Sequence, residues 1–133
     1  MSDISPTGLP STVRPESGRR LISGDKVQGT PVFNRQDERL GTIEDVMIDK
    51  ITGRVAFAIL SFGGFLGIGE NHHPLPWSVL DYDTRLGGYV VDLTREQLEG
   101  APTYAAADNI DLSDTYGRRV YDYYKAEPFW QDV

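Results

Sequence analysis

Apolar residues are concentrated in the middle of the chain, in a segment bounded by glycines at residues 53–69. Its first half has apolar side chains on both alternating sets of positions: Val55, Phe57 and Ile59, and Ala56, Ala58, Leu60 and Phe62. Successive side chains of a strand point to opposite faces, so the pattern predicts a strand buried on both sides. The alanines on one face predict a curved sheet with little room inside.

The segment before this strand predicts its hairpin partner. Residues 40–49 form a strand in which the apolar positions Ile43, Val46 and Ile48 break the period of two once. A β-bulge at Glu44 and Asp45 restores the alternation and bends the strand. A tight turn over residues 50–53 then enters the central strand, with glycine at its last position to take a positive φ. A shorter strand is predicted at residues 30–33.

The segment after the glycines contains further short elements. Residues 74–80 are extended and contain two prolines, and residues 89–93 predict the last strand. Thr94 and Gln97 have the spacing of a capping box, which predicts a helical turn that ends near Gly100. Several short strands separated by regular turns are typical of a small β-barrel or sandwich.

The C-terminal residues predict a helix with an aromatic stripe. Four apolar residues recur at four-residue spacing: Leu112, Tyr116, Val120 and Tyr124. Asp111 or Ser113 is suited to cap this helix and Pro128 to end it. The stripe must cover either the chain's own barrel or the same surface on a second copy. We expect self-association, as a homodimer or larger.

Composition narrows the classes of function. The 133 residues carry a net charge of −7, which argues against direct nucleic-acid binding because phosphate contacts need clustered Lys and Arg. There is no cysteine, and no apolar run approaches the length of a membrane span. We expect a cytoplasmic protein without membrane insertion. Its predicted organisation is a disordered leader (1–20), one domain (21–102) and a helical extension (103–133).

Several short motifs within residues 21–102 resemble those of the PRC-barrel family. The motifs are Gly29-x-Pro31-Val32, Leu40-Gly41-x-Ile43-Glu44-Asp45-Val46-x-Ile48-Asp49, Thr52-Gly53-Arg54-Val55, residues 62–69 and Pro74-Leu75-Pro76-Trp77. The resemblance implies a mainly β fold, a small antiparallel barrel of about six strands. A short helical turn and the aromatic-rich C-terminal helix would complete the chain. It also implies an assembly or adaptor role without catalytic residues, and the sequence is most similar to the free-standing bacterial members of the family.

Two groups of residues are candidates for contact with a protein partner. The glycine-rich segment holds Phe65, Leu66 and Ile68, whose side chains either plug an open end of the barrel or insert into a partner. The second group consists of aromatic residues, which are favoured at protein interfaces, and of Val120 in the predicted helical stripe. It comprises Trp77, Tyr116, Val120, Tyr124 and Trp130.

Residues suited to catalysis or metal binding do not converge in the sequence. His72 and His73 are adjacent on an extended segment, so their side chains point to opposite faces and cannot readily hold one ion. Glu44, Asp45 and Asp49 are expected to be solvated acids around the bulge and the turn, with Asp49 capping its own turn. We therefore predict no enzyme activity, no cofactor and no metal site.

The sequence favours a protein-binding adaptor that self-associates and has an unidentified protein partner. One alternative is a ribosome-assembly accessory that acts through protein contacts, because an acidic chain can bind a basic ribosomal protein. The other is an accessory to a photosynthetic or membrane electron-transfer complex, which the family resemblance implies.

Overall fold

The computed structural model describes residues 20–62, 71–105, 108, 110–113 and 115–127. Within these ranges it contains seven strands, three α-helices and a single 3₁₀ turn. In chain order they are α1 (Gly24–Val27), β1 (Pro31–Phe33), β2 (Arg39–Ile48), β3 (Val55–Phe62), β4 (Asn71–Pro76), the 3₁₀ turn (Trp77–Val79), β5 (Asp81–Asp83), β6 (Gly88–Val90), α2 (Arg95–Glu99), β7 (Tyr104–Ala105) and α3 (Thr115–Tyr124).

The strands form one sheet in the order β5-β6-β1-β2-β3-β4-β7. The prediction of a mainly β fold is confirmed, but the prediction of a closed antiparallel barrel of about six strands needs correction. Seven strands are present in the described ranges, β1 and β6 run parallel, and β5 and β7 are edges that do not pair with each other. β1 and β6 are far apart in the sequence, and no local pattern encodes the direction in which such strands pair.

Strand β2 contains the predicted bulge. Ile43 pairs with Leu60 and Asp45 pairs with Ile59, which leaves Glu44 without an opposite residue. The backbone amide of Val46 donates a hydrogen bond of 2.8 Å to the Asp45 carboxylate just beyond the bulge. The extra residue bends β2 as the broken alternation predicts.

Strand β3 is buried on both faces, as its two apolar sets predict. One face belongs to a core cluster with side chains from β1, β2, β4 and α2, including Val32, Ile43 and Leu98. The other face, with Phe57 and Ile59, packs against residues of and next to α3. The sheet therefore separates two apolar layers, and α3 supplies the cover of the second.

Helix α3 packs on the sheet of its own chain. Tyr121 and Phe57 meet edge to face with ring centroids 5.2 Å apart, and the Tyr121 hydroxyl donates a hydrogen bond of 2.7 Å to the Ala56 carbonyl. The helix ends at Tyr124, before the predicted stop at Pro128. Lys125 adopts a positive φ of 55°, and the Ala126 amide bonds to the Tyr121 carbonyl to close the last turn.

The short helices complete the domain. The capping box of α2 is confirmed, because Thr94 accepts a hydrogen bond from the Gln97 amide and the Gln97 side chain accepts one from the Thr94 amide. Helix α1, which the sequence pattern did not predict, buries Val27 in the first core cluster. Among the helices within the described ranges, none is long and apolar enough to cross a membrane.

Candidate functional site: the end of the β2–β3 hairpin

The turn between β2 and β3 is fixed by a dense set of hydrogen bonds. The Asp49 carboxylate accepts from the Ile51 amide at 2.9 Å and from the Thr52 amide at 3.4 Å. The Asp49 amide donates to the Arg54 carbonyl at 2.7 Å, and Gly53 takes a φ of 80°. Both the predicted turn with its glycine and the predicted capping role of Asp49 are confirmed.

This turn and the strand ends beside it, residues 47–54 and hereafter the hairpin end, expose large apolar side chains. Met47 is 39% exposed, Ile48 57% and Ile51 80%. The pairing of β2 with β3 shifts its register between Met47 and Ile48, so the regular alternation of inward and outward side chains ends before the turn. Ile48, which the alternation in β2 indicated as an inward-facing position, is therefore a surface residue.

An open cleft lies beside the hairpin end. We call it the hairpin cleft; it has a volume of about 420 Å³. Buried residues of β3 line it on one side, and the segment that precedes α3 lines it on the other. The lining residues are Met47, Ile48, Asp49, Lys50, Ile51, Ala56, Phe57, Ile110, Asp111, Leu112, Ser113 and Arg118.

The wall opposite the hairpin depends on one glycine of α3. Gly117 is buried, and a Cβ at this position would overlap the carbonyl group of Leu112 and come within 3.1 Å of the Phe57 ring. Glycine is unfavourable in a helix interior, but here it allows the helix to approach the preceding segment closely. That approach holds Leu112 buried beside Phe57 in the second core cluster.

The polar groups around the cleft carry both signs of charge. Its lining residues include the acids Asp49 and Asp111 and the bases Lys50 and Arg118. Hydrogen bonds from the side chain and the backbone amide of Ser113 hold the pKa of Asp111 below its ordinary value, so this carboxyl is an anion at neutral pH. Both carboxylates already accept hydrogen bonds from neighbouring amides.

The predicted stripe of the C-terminal helix faces inward. Val120 has 0% exposure and packs in the second core cluster with Leu112. Tyr116 and Tyr124 are half-buried against the same cluster, and their hydroxyls have no hydrogen-bond partner among the described residues. These side chains are covered by their own chain, and Val120 offers no surface to a partner.

Burial sets the acid strength of these tyrosines. It raises the pKa of Tyr121 to about 12 and also raises the pKa of Tyr124. The pKa values of Tyr104 and Tyr116 are raised for the same reason. All four phenols are therefore neutral near pH 7.

Trp77 lies at the first position of the 3₁₀ turn and is half-buried against the first core cluster. Its ring meets that of Tyr89 with centroids 5.4 Å apart, and Tyr82 meets Tyr89 at 5.2 Å. Tyr82 is the exposed member of this aromatic row, and it lies on the edge strand β5. Trp77 follows Pro76, which pairs with Phe57, but it is not among the described residues that line the hairpin cleft.

The remaining predicted contact residues lie outside the described ranges. They are Phe65, Leu66 and Ile68 in the glycine-rich segment and Trp130 near the C-terminus.

The two histidines and the acidic residues do not converge. The His72 ring meets Tyr104 at 5.4 Å, whereas the His73 ring meets Phe62 at 5.2 Å. Glu44 and Asp45 are exposed on β2. Within the part of the chain that the structure describes, no group of three or more His, Asp or Glu residues is arranged to hold a metal ion.

Sequence reasoning missed the hairpin end as a candidate surface. The signal was present: Met47, Ile48 and Ile51 place three large apolar residues around a tight turn, where polar residues are usual. The alternation in β2 predicted Ile48 to be a core residue, so the group of exposed apolar residues was not recognised. The cleft itself depends on the packing of residues 110–118 against β3, which no local pattern predicts.

Comparisons with known proteins place the fold. The profile of the PRC-barrel domain matches residues 20–98. A putative 16S ribosomal RNA processing protein, RimM, from Pseudomonas aeruginosa has a similar structure, with a TM-score of 0.38 and 17% sequence identity. The similarity covers 62% of this chain and 50% of that protein, so the chain corresponds to half of its length. A search of curated proteins finds no match. From the profile match over most of its length, the chain belongs to the PRC-barrel domain family.

Proposed function

We propose that this chain is a non-enzymatic protein-binding module whose contact surface is the hairpin end together with the hairpin cleft. The observation that carries the proposal is the exposure of Met47, Ile48 and Ile51 beside a cleft floored by apolar side chains. Exposed apolar patches next to a concave surface are typical of protein interaction sites.

The extent of the patch favours a protein over a small molecule. A ligand that filled the hairpin cleft would cover its floor, but we expect it to leave much of Ile48 and Ile51 in water, because these side chains are 57% and 80% exposed. A protein surface can cover the floor and the projecting side chains together. The rigid turn also favours binding, because a preorganised surface loses little conformational entropy on contact.

The chemistry around the cleft supports a role without catalysis. The Asp49 and Asp111 carboxylates are engaged with amides of their own turns. The four tyrosines with a shifted pKa near the second core cluster are all shifted upward, away from the value that a general base needs near neutral pH.

A pair of matched variants tests the proposal. Ile51→Asn removes an apolar side chain that is 80% exposed, and Leu21→Asn removes one that is 83% exposed on another part of the surface. Both leave the net charge unchanged. Tagged wild-type protein and Leu21→Asn should capture the same partner from the native lysate, and Ile51→Asn should lose it while it keeps the wild-type circular dichroism spectrum. Retention of that partner by Ile51→Asn would contradict the proposed surface.

A ribosome-assembly accessory is the second candidate, and the net charge of −7 favours it. An acidic chain attracts basic proteins, and ribosomal proteins are a basic class. This role would place the module in the cytoplasm, bound to a protein component of assembling small subunits. Co-sedimentation with those particles should then weaken as the salt concentration rises, because salt screens the attraction between an acidic and a basic protein. Absence of the wild type from every ribosomal fraction would remove this candidate.

A further inference from the structure

The hairpin end exposes Ile48 and Ile51, and apolar side chains also line the hairpin cleft beside it. The hairpin end is an apolar turn, and the hairpin cleft is an apolar recess beside that turn. We propose that a second copy of this chain occupies the surface, so that Ile51 of each copy enters the hairpin cleft of the other around a two-fold axis. The inference rests on the proposed function, because it names the partner of the same surface.

The turn holds Ile51 in a position from which it does not fill the hairpin cleft of its own chain. Hydrogen bonds from the Ile51 and Thr52 amides to the Asp49 carboxylate fix the direction in which Ile51 projects. The pairing of the Asp49 amide with the Arg54 carbonyl ties the turn to the strand ends. Ile51 therefore stays at the rim with 80% of its surface exposed, and no other described residue of its own chain covers it.

In a dimer with a two-fold axis, each chain provides both an inserting turn and a receiving cleft. In an isologous interface the same patch is present on both subunits, so one projecting turn and one recess per chain give two equivalent insertions. The reciprocal contact also covers Ile48 and Met47, which stand beside the recess. No second apolar partner surface is needed.

Charge at the mouth of the cleft favours a second copy over an oppositely charged partner. Among the lining residues that the structure describes, Asp49 and Asp111 balance Lys50 and Arg118, whereas the whole chain carries −7. Two chains with the same net charge approach each other with least repulsion where each is locally neutral. A basic partner would gain more from exposed acids elsewhere, such as Glu44 and Asp45.

The absence of cysteine from the sequence permits a direct test of the contact. One chain carries Ile51→Cys, a second chain with a different tag carries Ser113→Cys on the opposite wall of the cleft, and the two are mixed under mild oxidation. Thr84→Cys is the matched control, because it is also an exposed turn residue and lies in the turn bonded to the other end of β2. We expect the Ile51→Cys and Ser113→Cys pair to form a disulfide-linked heterodimer in about tenfold higher yield than either chain mixed with Thr84→Cys, because association raises the effective concentration of the two thiols.

Equal yields in all mixtures would overturn the inference. Light scattering of the uncrosslinked proteins then separates it from the proposed function. The inference requires that wild type and Leu21→Asn form dimers with rising concentration and that Ile51→Asn stays monomeric. A dimer that persists in Ile51→Asn contradicts it. A monomeric wild type also contradicts it, and in that case loss of a lysate partner by Ile51→Asn would leave the proposed function standing with a different partner.

Discussion

The two ends of strand β2 carry turns of opposite character. The turn before β2 is polar and closed: Asn34 is buried, and its side chain donates to Glu38 and accepts from the Gln36 and Glu38 amides. Arg95 of α2 bonds to Glu38 at 2.8 Å. The turn after β2 has an equally well-defined backbone but leaves Ile48 and Ile51 in water. The first turn connects β2 to α2 through its side chains. The second turn has a hydrogen-bonded backbone, but its apolar side chains are exposed.

The comparison teaches which exposed residues need a partner. Exposed charges of the first turn are hydrated and form ion pairs such as that between Arg85 and Asp37 at 3.4 Å, which contribute little. The apolar side chains of the second turn form no hydrogen bonds with water that burial would break. Their burial by a partner is favourable in proportion to the area covered.

The largest expected effect comes from the cleft wall. Gly117→Ala places a Cβ against the Leu112 carbonyl, so α3 and the segment that precedes it must move apart. We expect a loss of roughly 2–4 kcal/mol in the free energy of unfolding and loss of partner binding. Gly24→Ala, where a Cβ meets nothing within 4 Å, is the control and should unfold like the wild type in urea. Equal stability of the two variants would show that α3 does not pack as described.

Alkaline pH should also lower the free energy of unfolding through the packing of α3, by a smaller amount than Gly117→Ala. Burial raises the pKa of Tyr121 to about 12, above its unfolded value near 10. The neutral phenol therefore contributes stability that is complete below pH 10 and is lost as the pH rises to about 12, a contribution of roughly 2–3 kcal/mol. The urea midpoint should fall over this interval, and less steeply in Tyr121→Phe. Equal slopes for both proteins would contradict the burial of this hydroxyl.

The two turns themselves should differ in sensitivity. Asn34→Ala removes three hydrogen bonds from a buried side chain and should lower the free energy of unfolding by roughly 2 kcal/mol. Asp49→Ala removes two hydrogen bonds from a half-buried side chain and should cost about 1 kcal/mol. Urea titrations of both variants give the comparison. If Asp49→Ala proves the more damaging, the hairpin end contributes more to folding than its exposure indicates.

Local patterns in the sequence predict the local structure well. The bulge at Glu44, the positive φ of Gly53 and the capping box of Thr94 each depend on residues within a few positions of one another. Strand β3 was identified because two buried faces leave an unbroken apolar run. Such features are fixed by short-range sterics and hydrogen bonds, so sequence alone specifies them.

Long-range packing was less accessible. The parallel pairing of β1 with β6 joins segments separated by more than 50 residues, and the packing of α3 on β3 depends on the fit of Gly117 against Leu112. The aromatic stripe predicted a covered surface but not which molecule covers it. The candidate site was missed for the same reason. Whether Ile48 is exposed depends on where burial stops along β2, and the periodicity of the sequence does not show this.

The most direct test of the central claim is amide hydrogen exchange of the wild-type chain at low and at high concentration, and with any captured partner. The account predicts added protection in peptides that cover residues 47–57 and 110–118, with unchanged exchange in residues 34–38 and 83–88 at the opposite turns. Ile51→Asn should show no added protection. Protection that appears only outside the hairpin end and the hairpin cleft would contradict the account.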